Sequence, residues 1–430
     1  MVNLDLVKTI VVVMMENRSF DHMLGYLSLE GYPVNGLQPD PWLSQVANPY
    51  EGFHYRPFEY TNTRVPADPP HERGNIGLQL DSGSTGTLDL RGFVQSYADV
   101  CPVNPDSPPA VMGYYTKSTV PLFDTLARAY AVCDRWFAPL PAGTQPNRLM
   151  AMSGTSLIDT NTFPLPRQPL VYDWLSGHGV RWRVYHEAMP FFALMLHWIP
   201  AIVRGDNFRS LEHLQHDLHH EDDGQWPQVI FIEPKYGDDP THIGEPTDHH
   251  PPASIIRGQE FIAKIYATLT SHPDRWRQTV LILTYDEHGG FFDHVPPISQ
   301  ATSGQGNYDD FRTTGVRVPA LVVSPLVNPG TVYSGDLDHT SILKFLGEKF
   351  DANKVYSTEV EHRRLVGSVS SVLNAPAART DIPRIQSLPP DSEPVPTNVS
   401  AFTAAANAMR TGYPDDVRQR FPEIWHVEAP

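Results

Sequence analysis

Cysteine is nearly absent from this chain: Cys101 and Cys133 are the two in 430 residues. Two thiols cannot build a disulfide framework or a cysteine-based zinc site. One bridge between them, or two free and buried thiols, are the readings left, and free thiols are expected. No run of about 18 apolar residues occurs, which excludes a membrane-crossing helix of the usual kind. No internal repeat and no long block of like charge is present, so solenoids and charged tails drop out. Basic residues are also few, 32 Lys and Arg against 49 Asp and Glu, for a net charge of −17. That balance argues against nucleic acid as a partner and against strong attraction to anionic membranes. It leaves room for an anionic substrate, because a metal ion can dominate a local field. The amino terminus has no charged-then-apolar leader, so the chain reads as cytoplasmic, or as exported if a removed leader precedes it.

Proline, by contrast, is abundant at 42 residues. It clusters in Asn35 to Pro70, Pro102 to Pro109 and Ser387 to Pro396, and such stretches cannot be helix or central sheet. The first two are expected to be long, ordered excursions that wall a pocket. The third reads as a linker to a last amphipathic helix, Val399 to Arg410. The expected organisation is one catalytic domain over 1–380 with proline-rich insertions at about 30–115, then a linker and helical extension over 381–430.

Short β-branched, unalternated runs read as strands buried on both faces. They are Ile10 to Met15, Ala131 to Phe137, Arg181 to Tyr185, Gln228 to Ile232, Thr279 to Tyr285 and Val318 to Ser324. Helical periods lie at Leu122 to Tyr130, Ser254 to Thr270 and Thr340 to Phe350. Strands alternating with helices predict an α/β fold, a three-layer sandwich on a mainly parallel central sheet.

Two of these strands end in unusual residues. The first runs into Glu16-Asn17, and Thr279 to Tyr285 runs into Asp286-Glu287-His288-Gly289-Gly290. Ligands of open parallel sheets sit beyond the carboxyl ends of strands. Oxygen-rich side chains there suit hard divalent cations, and the glycine pair lets backbone approach a bound group closely. A polar loop that merely ends a strand is the other reading of Glu16-Asn17 alone. If the two strands are neighbours, four ligands converge.

Two blocks carry a resemblance. Met15-Glu16-Asn17-Arg18-Ser19-Phe20-Asp21-His22 with Gly25, and Asp286-Glu287 with Gly289-Gly290-Phe291-Phe292-Asp293-His294-Val295-Pro296-Pro297, look like signatures of the phosphoesterase family. That family holds non-haemolytic phospholipases C and bacterial acid phosphatases, and belongs to the alkaline-phosphatase-like superfamily. The resemblance covers most of residues 5 to 350, and implies an alkaline-phosphatase-like sheet and a phosphoric ester hydrolase. Its metal set would be Glu16, Asn17, Thr144, Asp286 and Glu287, around one divalent ion (Zn, Mg, Mn or Ca).

Thr144 lies in Gly143-Thr144-Gln145-Pro146-Asn147-Arg148, at a helix start whose amides and dipole favour negative charge. It reads either as an ordinary capping threonine or as a nucleophile. The block looks like the family's nucleophile segment, which implies the second, with a covalent phospho-threonine; Ser153 and Thr155 are rivals. Arg148 would assist or pair elsewhere. The histidines offered by the same resemblance are His249 or His250 in Asp248-His-His-Pro251, with the registration open, and His71 in Asp68-Pro-Pro-His71. His294 follows the glycine pair in Phe292-Asp293-His294, and His339 precedes a helix that Asp338 or Thr340 would cap.

The expected substrate is a phosphodiester, as for a phospholipase C, with a phosphomonoesterase as the alternative. A non-catalytic protein binding a phosphate ligand is the alternative of another class. Met189 to Pro200 would meet a lipid surface transiently if exposed and form a core helix if buried. The run His213, His216, His219 and His220 with Glu221 to Asp223 reads as a solvated helix end rather than a metal site.

Overall fold

The computed structural model describes residues 4–80, 88–104, 106–237, 239, 244–299 and 311–391. The main sheet has eight strands: β1 Thr9–Met15, β2 Ala131–Cys133, β3 Trp182–His186, β4 Phe208–Ser210, β5 Val229–Glu233, β6 Thr279–Tyr285, β7 Ala320–Val323 and β8 Thr331–Tyr333. Their spatial order is β8-β2-β7-β6-β1-β5-β3-β4. Every pairing is parallel except those of β7 with β6 and β2. β1 and β6 are buried along nearly their whole length, as continuous apolar runs between two helical layers must be.

Five helices matter for the site: α1 Phe20–Leu24, α2 Pro121–Ala129, α3 Thr144–Ser153, α4 Ile255–Thr270 and α5 Thr340–Phe350. Alternation along the strands decides which face each one covers. Val12 and Met14 of β1 share a cavity of about 40 Å³ with Ala151 and Met152 of α3 and Ile342, Leu343 and Leu346 of α5. Tyr285, level with Met15 and so on the opposite face, packs against Phe123 of α2, and α4 lies beside α2 in that layer. The fold is therefore a three-layer α/β sandwich on a mainly parallel sheet.

The expected strand Ala131 to Phe137 is split. Its second piece, Trp136–Phe137, pairs with Leu337–Asp338 instead. The break falls where Asp134 accepts the Asn35 amide and Arg135 pairs with Asp336. The proline-rich excursions carry short ladders, such as Asn48–Tyr50 with Phe53–Tyr55, and, against expectation, one four-residue helix, Trp42–Gln45, which Pro41 precedes rather than interrupts. Met189 to Pro200 folds inward as a 3-10 turn, with Phe191, Phe192 and Met195 buried. Both cysteines are free thiols; Cys133 is buried and Cys101 partly so. His216, His219 and His220 line the exposed side of a short helix. No helix among the described residues is long and apolar enough to cross a membrane. Residues 381–391, expected as linker, lie against the domain, and the expected helix Val399 to Arg410 falls outside the described residues.

Candidate active site

β1 and β6 run side by side with Met15 opposite Tyr285. Glu16-Asn17 and Asp286-Glu287 therefore leave the sheet together, and all four are buried. Arg148, one turn into α3, reaches between the two strand ends. Its Nη2 stands 3.0 Å from Glu16 Oε1, and its Nε donates to Asp286 Oδ2 at 3.1 Å. Its Nη1 donates to the Tyr236 hydroxyl at 3.0 Å, and the Phe191 ring lies 4.7 Å from its Cζ. Burial works against the guanidinium charge, but Tyr236, Asp286 and Glu16 outweigh it and hold the pKa above its ordinary value. Arg148 thus sets both carboxylates. The cavity behind it is mostly apolar and lies away from their convergence.

Asp286 Oδ1 accepts the Glu287 amide at 2.8 Å, and Glu287 Oε2 accepts the Gly289 amide at 2.7 Å. Burial pushes the Asp286 carboxyl up against the pull of Arg148. Burial likewise lifts Glu287, which His71 lowers and Asp286 raises, to about 7. Two buried oxygens, Glu287 Oε1 and Asn17 Oδ1, have no hydrogen-bond partner. Three buried carboxylates, two of them held by one guanidinium, and the unsatisfied oxygens of Glu287 and Asn17 form a dry, oxygen-rich cradle. Such a surplus is costly unless a cation joins it. Hard oxygen donors of this kind fit a divalent ion.

Gly289 and Gly290 adopt φ of +62° and +72°, and a Cβ at Gly289 would stand 2.6 Å from Asn17 Oδ1. One at Gly290 would stand 2.7 Å from the Pro70 carbonyl. The pair thus lets the first proline-rich excursion settle onto the strand ends, and that excursion delivers His71. The His71 Nδ1 donates to the Pro69 carbonyl at 2.6 Å, which leaves Nε2 3.5 Å from Asn17 Nδ2 and 4.0 Å from Glu287 Oε1. Burial alone would depress its pKa; Glu287 and Asp68 overcome that and raise it to about 9. His250 joins from the loop before α4, its Nε2 3.9 Å from Asp68 Oδ2. Burial opposes its charge too, and Asp68 lifts it on balance above its ordinary value. Asp68, His71 and His250 bring one ligand atom each within 4.8 Å of one another. That is a second group able to hold a cation or to manage a proton.

Thr144 opens α3 and is buried, behind an extended Gly143. Asn147 fixes the approach: its Nδ2 donates to the Ala142 and Gly143 carbonyls at 2.7 and 3.0 Å, and its Oδ1 accepts the Leu140 amide at 2.9 Å. Ser153 closes the same helix about 13 Å away at 1.5 Å per residue. Its hydroxyl is taken by the Leu149 and Thr155 carbonyls.

The structure separates two expected histidines from this group. His249 has φ +79°, so its ring points away from that of its neighbour. Its Nδ1 lies 2.6 Å from the Tyr285 hydroxyl, and its ring presses on Gly258 of α4. Burial and the Arg18 charge depress its pKa well below the usual range. His294 stands in another cluster, its Nδ1 2.6 Å from Asp21 Oδ2. Asp21 and Asp293 of that cluster share the single charge of the buried Arg317, and with His294 they bring one ligand atom each within 4.8 Å of one another.

Two contributors were underweighted in the sequence. Asp68 could have been found by its place in Asp68-Pro-Pro-His71. His339 is fully buried; its Nδ1 accepts from Trp136 Nε1 at 3.0 Å and its Nε2 meets the Asp286 carbonyl at 2.7 Å. His339 itself, rather than Asp338 or Thr340, stands at the N-cap position, and Asp338, one residue before it, accepts the Thr340 amide at 2.7 Å.

A parallel sheet whose central strands end in carboxylates, gripped by an arginine one turn into a helix that opens on a hydroxyl, is an arrangement suited to cleaving anionic esters. Residues 7–353 match the Phosphoesterase family profile. Non-specific phospholipase C3 of Arabidopsis thaliana is 31% identical over 412 residues, covering 88% of this chain and 75% of that protein. Phospholipase C B of Mycobacterium tuberculosis is 29% identical over 485 residues, covering 96% and 87%. Among solved structures, the phosphonate monoester hydrolase from Silicibacter pomeroyi overlaps 62% of this chain and 73% of its own, at TM-score 0.37 and 11% identity. The chain belongs to the Phosphoesterase family and is a phosphoric ester hydrolase.

Proposed function

We propose that this enzyme is a phospholipase C-type phosphodiesterase that works through Thr144 and one divalent ion. The observation that carries this reading is the in-register exit of Glu16-Asn17 and Asp286-Glu287 from β1 and β6, with two buried oxygens left unsatisfied. Glu16, Asn17, Asp286, Glu287 and Thr144 would hold the ion. When bound, it supplies charge neutralisation for the nucleophile and the phosphoryl oxygens, the help phosphoryl transfer chiefly needs. Thr144 Oγ attacks phosphorus in line as the P–O bond to the leaving group breaks, and its proton passes to solvent water. The departing oxygen takes a proton from His250 or His71. Water then attacks the phospho-threonine and gives a proton to the histidine left neutral by the first step, while the P–Oγ bond breaks and Thr144 Oγ takes a proton from solvent. Arg148 keeps Glu16 and Asp286 in place, and the α3 amides face the negative charge. The relatives' names favour a diester of the phospholipid class.

The test compares para-nitrophenyl phosphorylcholine with para-nitrophenyl phosphate, with and without chelation, in wild type, Thr144→Val and Thr144→Ser. Expected are chelator-sensitive preference for the diester, collapse in Thr144→Val, substantial activity in Thr144→Ser, and an acid-stable phosphoryl group on Thr144 by mass spectrometry. A monoester preference would replace the diesterase reading with a phosphatase. An active Thr144→Val enzyme would remove the covalent step.

A further inference from the structure

The segment after the 3-10 turn Val369–Val372 has no helix or strand among its described residues, yet these are tied down along their length. The Arg379 amide donates to the Pro325 carbonyl at 3.0 Å, and its Nη1 donates to the Ala129 carbonyl at 2.8 Å. The Pro383 carbonyl accepts from the Tyr266 hydroxyl of α4 at 2.9 Å. Ile385 and Leu388 then pack partly buried against the core. The described chain ends at Asp391, beside Arg257 near the start of α4. The segment is thus a strap laid along α4 toward the site.

Where it arrives is specific. The Asp391 side chain is 6% exposed and meets Arg64, itself 8% exposed, with Arg64 Nη2 3.1 Å from Asp391 Oδ2. The same Nη2 pairs with Glu245 Oε1 at 2.5 Å. Arg257 Nε completes the group, 3.0 Å from Glu245 Oε2 and 3.5 Å from Asp391 Oδ2. The Thr63 hydroxyl lies 3.4 Å from Asp391 Oδ1. Arg64 begins the stretch that delivers Asp68 and His71, and Glu245 begins the one that delivers His250. Two cations and two carboxylates thus close one ring over two loops that also meet where the Ile255 amide donates to the Thr63 carbonyl at 2.9 Å, and the strap supplies one corner. Partly buried charges arranged this way hold geometry, because removing one leaves its partner uncompensated.

We infer that Asp391 is a positioning residue: the carboxyl-terminal strap locks the His71 and His250 loops against each other, so that both imidazoles face one leaving group. This rests on the reading of those histidines as proton donors. It adds that their alignment is set by a residue far along the chain that touches no substrate. A misplacement of about 1 Å transmitted from a distance can cost on the order of a hundredfold in rate.

The experiment uses the full chain with Asp391→Asn, Asp391→Glu and His250→Asn. Each is assayed on a nitrophenyl phosphodiester and on an alkyl phosphodiester, with melting temperature recorded. Asp391→Asn keeps the shape but not the charge. It should lower alkyl-ester kcat on the order of tenfold or more while nitrophenyl turnover changes less than about threefold. Asp391→Glu should restore most of the loss, and melting should shift by only a few degrees. Unchanged alkyl turnover in Asp391→Asn, or an equal loss on both esters, would overturn the inference. Failure of the underlying reading looks different, since His250→Asn would itself lose both esters equally. Should Asp391→Asn fail to fold, Arg257→Gln opens the same ring and is judged by the same ratio.

Discussion

His339 donates a hydrogen bond to the backbone carbonyl of Asp286 at 2.7 Å. The donor is assigned by chemistry: the indole N–H of Trp136 can only donate, so His339 Nδ1 accepts and Nε2 carries the proton. A fully buried imidazole thereby pins the strand end that supplies a candidate metal ligand. His339→Ala should unpair the carbonyl and the indole at once. The expected cost is about 2–4 kcal/mol of stability and a 10- to 100-fold loss of divalent-ion affinity. Calorimetric titration of the variant with the ion decides; affinity equal to wild type would show that Asp286 holds its place unaided.

The same histidine makes a pH prediction. Burial lowers its pKa to about 4, although the Asp286 carbonyl and Asp338 work the other way. The unfolded chain, with a histidine near 6.5, binds the extra proton first. Stability from this group is therefore complete above about pH 6.5 and is lost as pH falls toward about 4, by up to about 3 kcal/mol. Thermal melts across that range should fall more steeply for wild type than for His339→Ala. Parallel slopes would assign the acid sensitivity to other groups.

His249 and His250 are adjacent and should behave oppositely. His250→Asn should melt near wild type and lose turnover most on poor leaving groups. His249→Asn should lose its contact with Tyr285 and its packing on Gly258, costing about 1–3 kcal/mol, with little dependence on leaving group. Melting curves and a leaving-group series on both variants separate the roles.

Gly289→Ala tests how closely the strand ends fit. Its φ of +62° disfavours any side chain, and the new Cβ would displace Asn17, whose Oδ1 would lie 2.6 Å away. About 1 kcal/mol of backbone strain is expected, with loss of metal occupancy out of proportion to the loss of stability. Elemental analysis of the folded variant is the measurement, and full occupancy would mean that Asn17 is not a ligand.

Much of this was legible in the chain. Thr279–Tyr285 and Thr340–Phe350 lie where their apolar patterns put them, because burial on both strand faces, or on one helix stripe, leaves a strong periodic mark. Glu16-Asn17 and Asp286-Glu287 stood out because acids rarely follow such runs without a turn signal. The partners of Arg148 were not legible, since Glu16 and Asp286 meet it only through tertiary contact. Nor could sequence choose between His249 and His250. The positive φ that separates them is a property of the folded loop, and alternation cannot be counted through it. Asp391 carried no local signal at all, sitting in a proline-rich stretch that read as linker.

The placement of β1 reaches beyond the site. It is made well before its two neighbours in the finished sheet, β5 and β6, which come at Val229–Glu233 and Thr279–Tyr285. Until then its β-branched run has both edges unpaired and both faces bare. Sequence-distant parallel pairing of this kind is slow and exposes aggregation-prone surface. The nascent enzyme must therefore shelter this apolar strand until β6 has been made, and a substitution that delays β6 would be felt as poor yield of soluble protein before it was felt as poor catalysis.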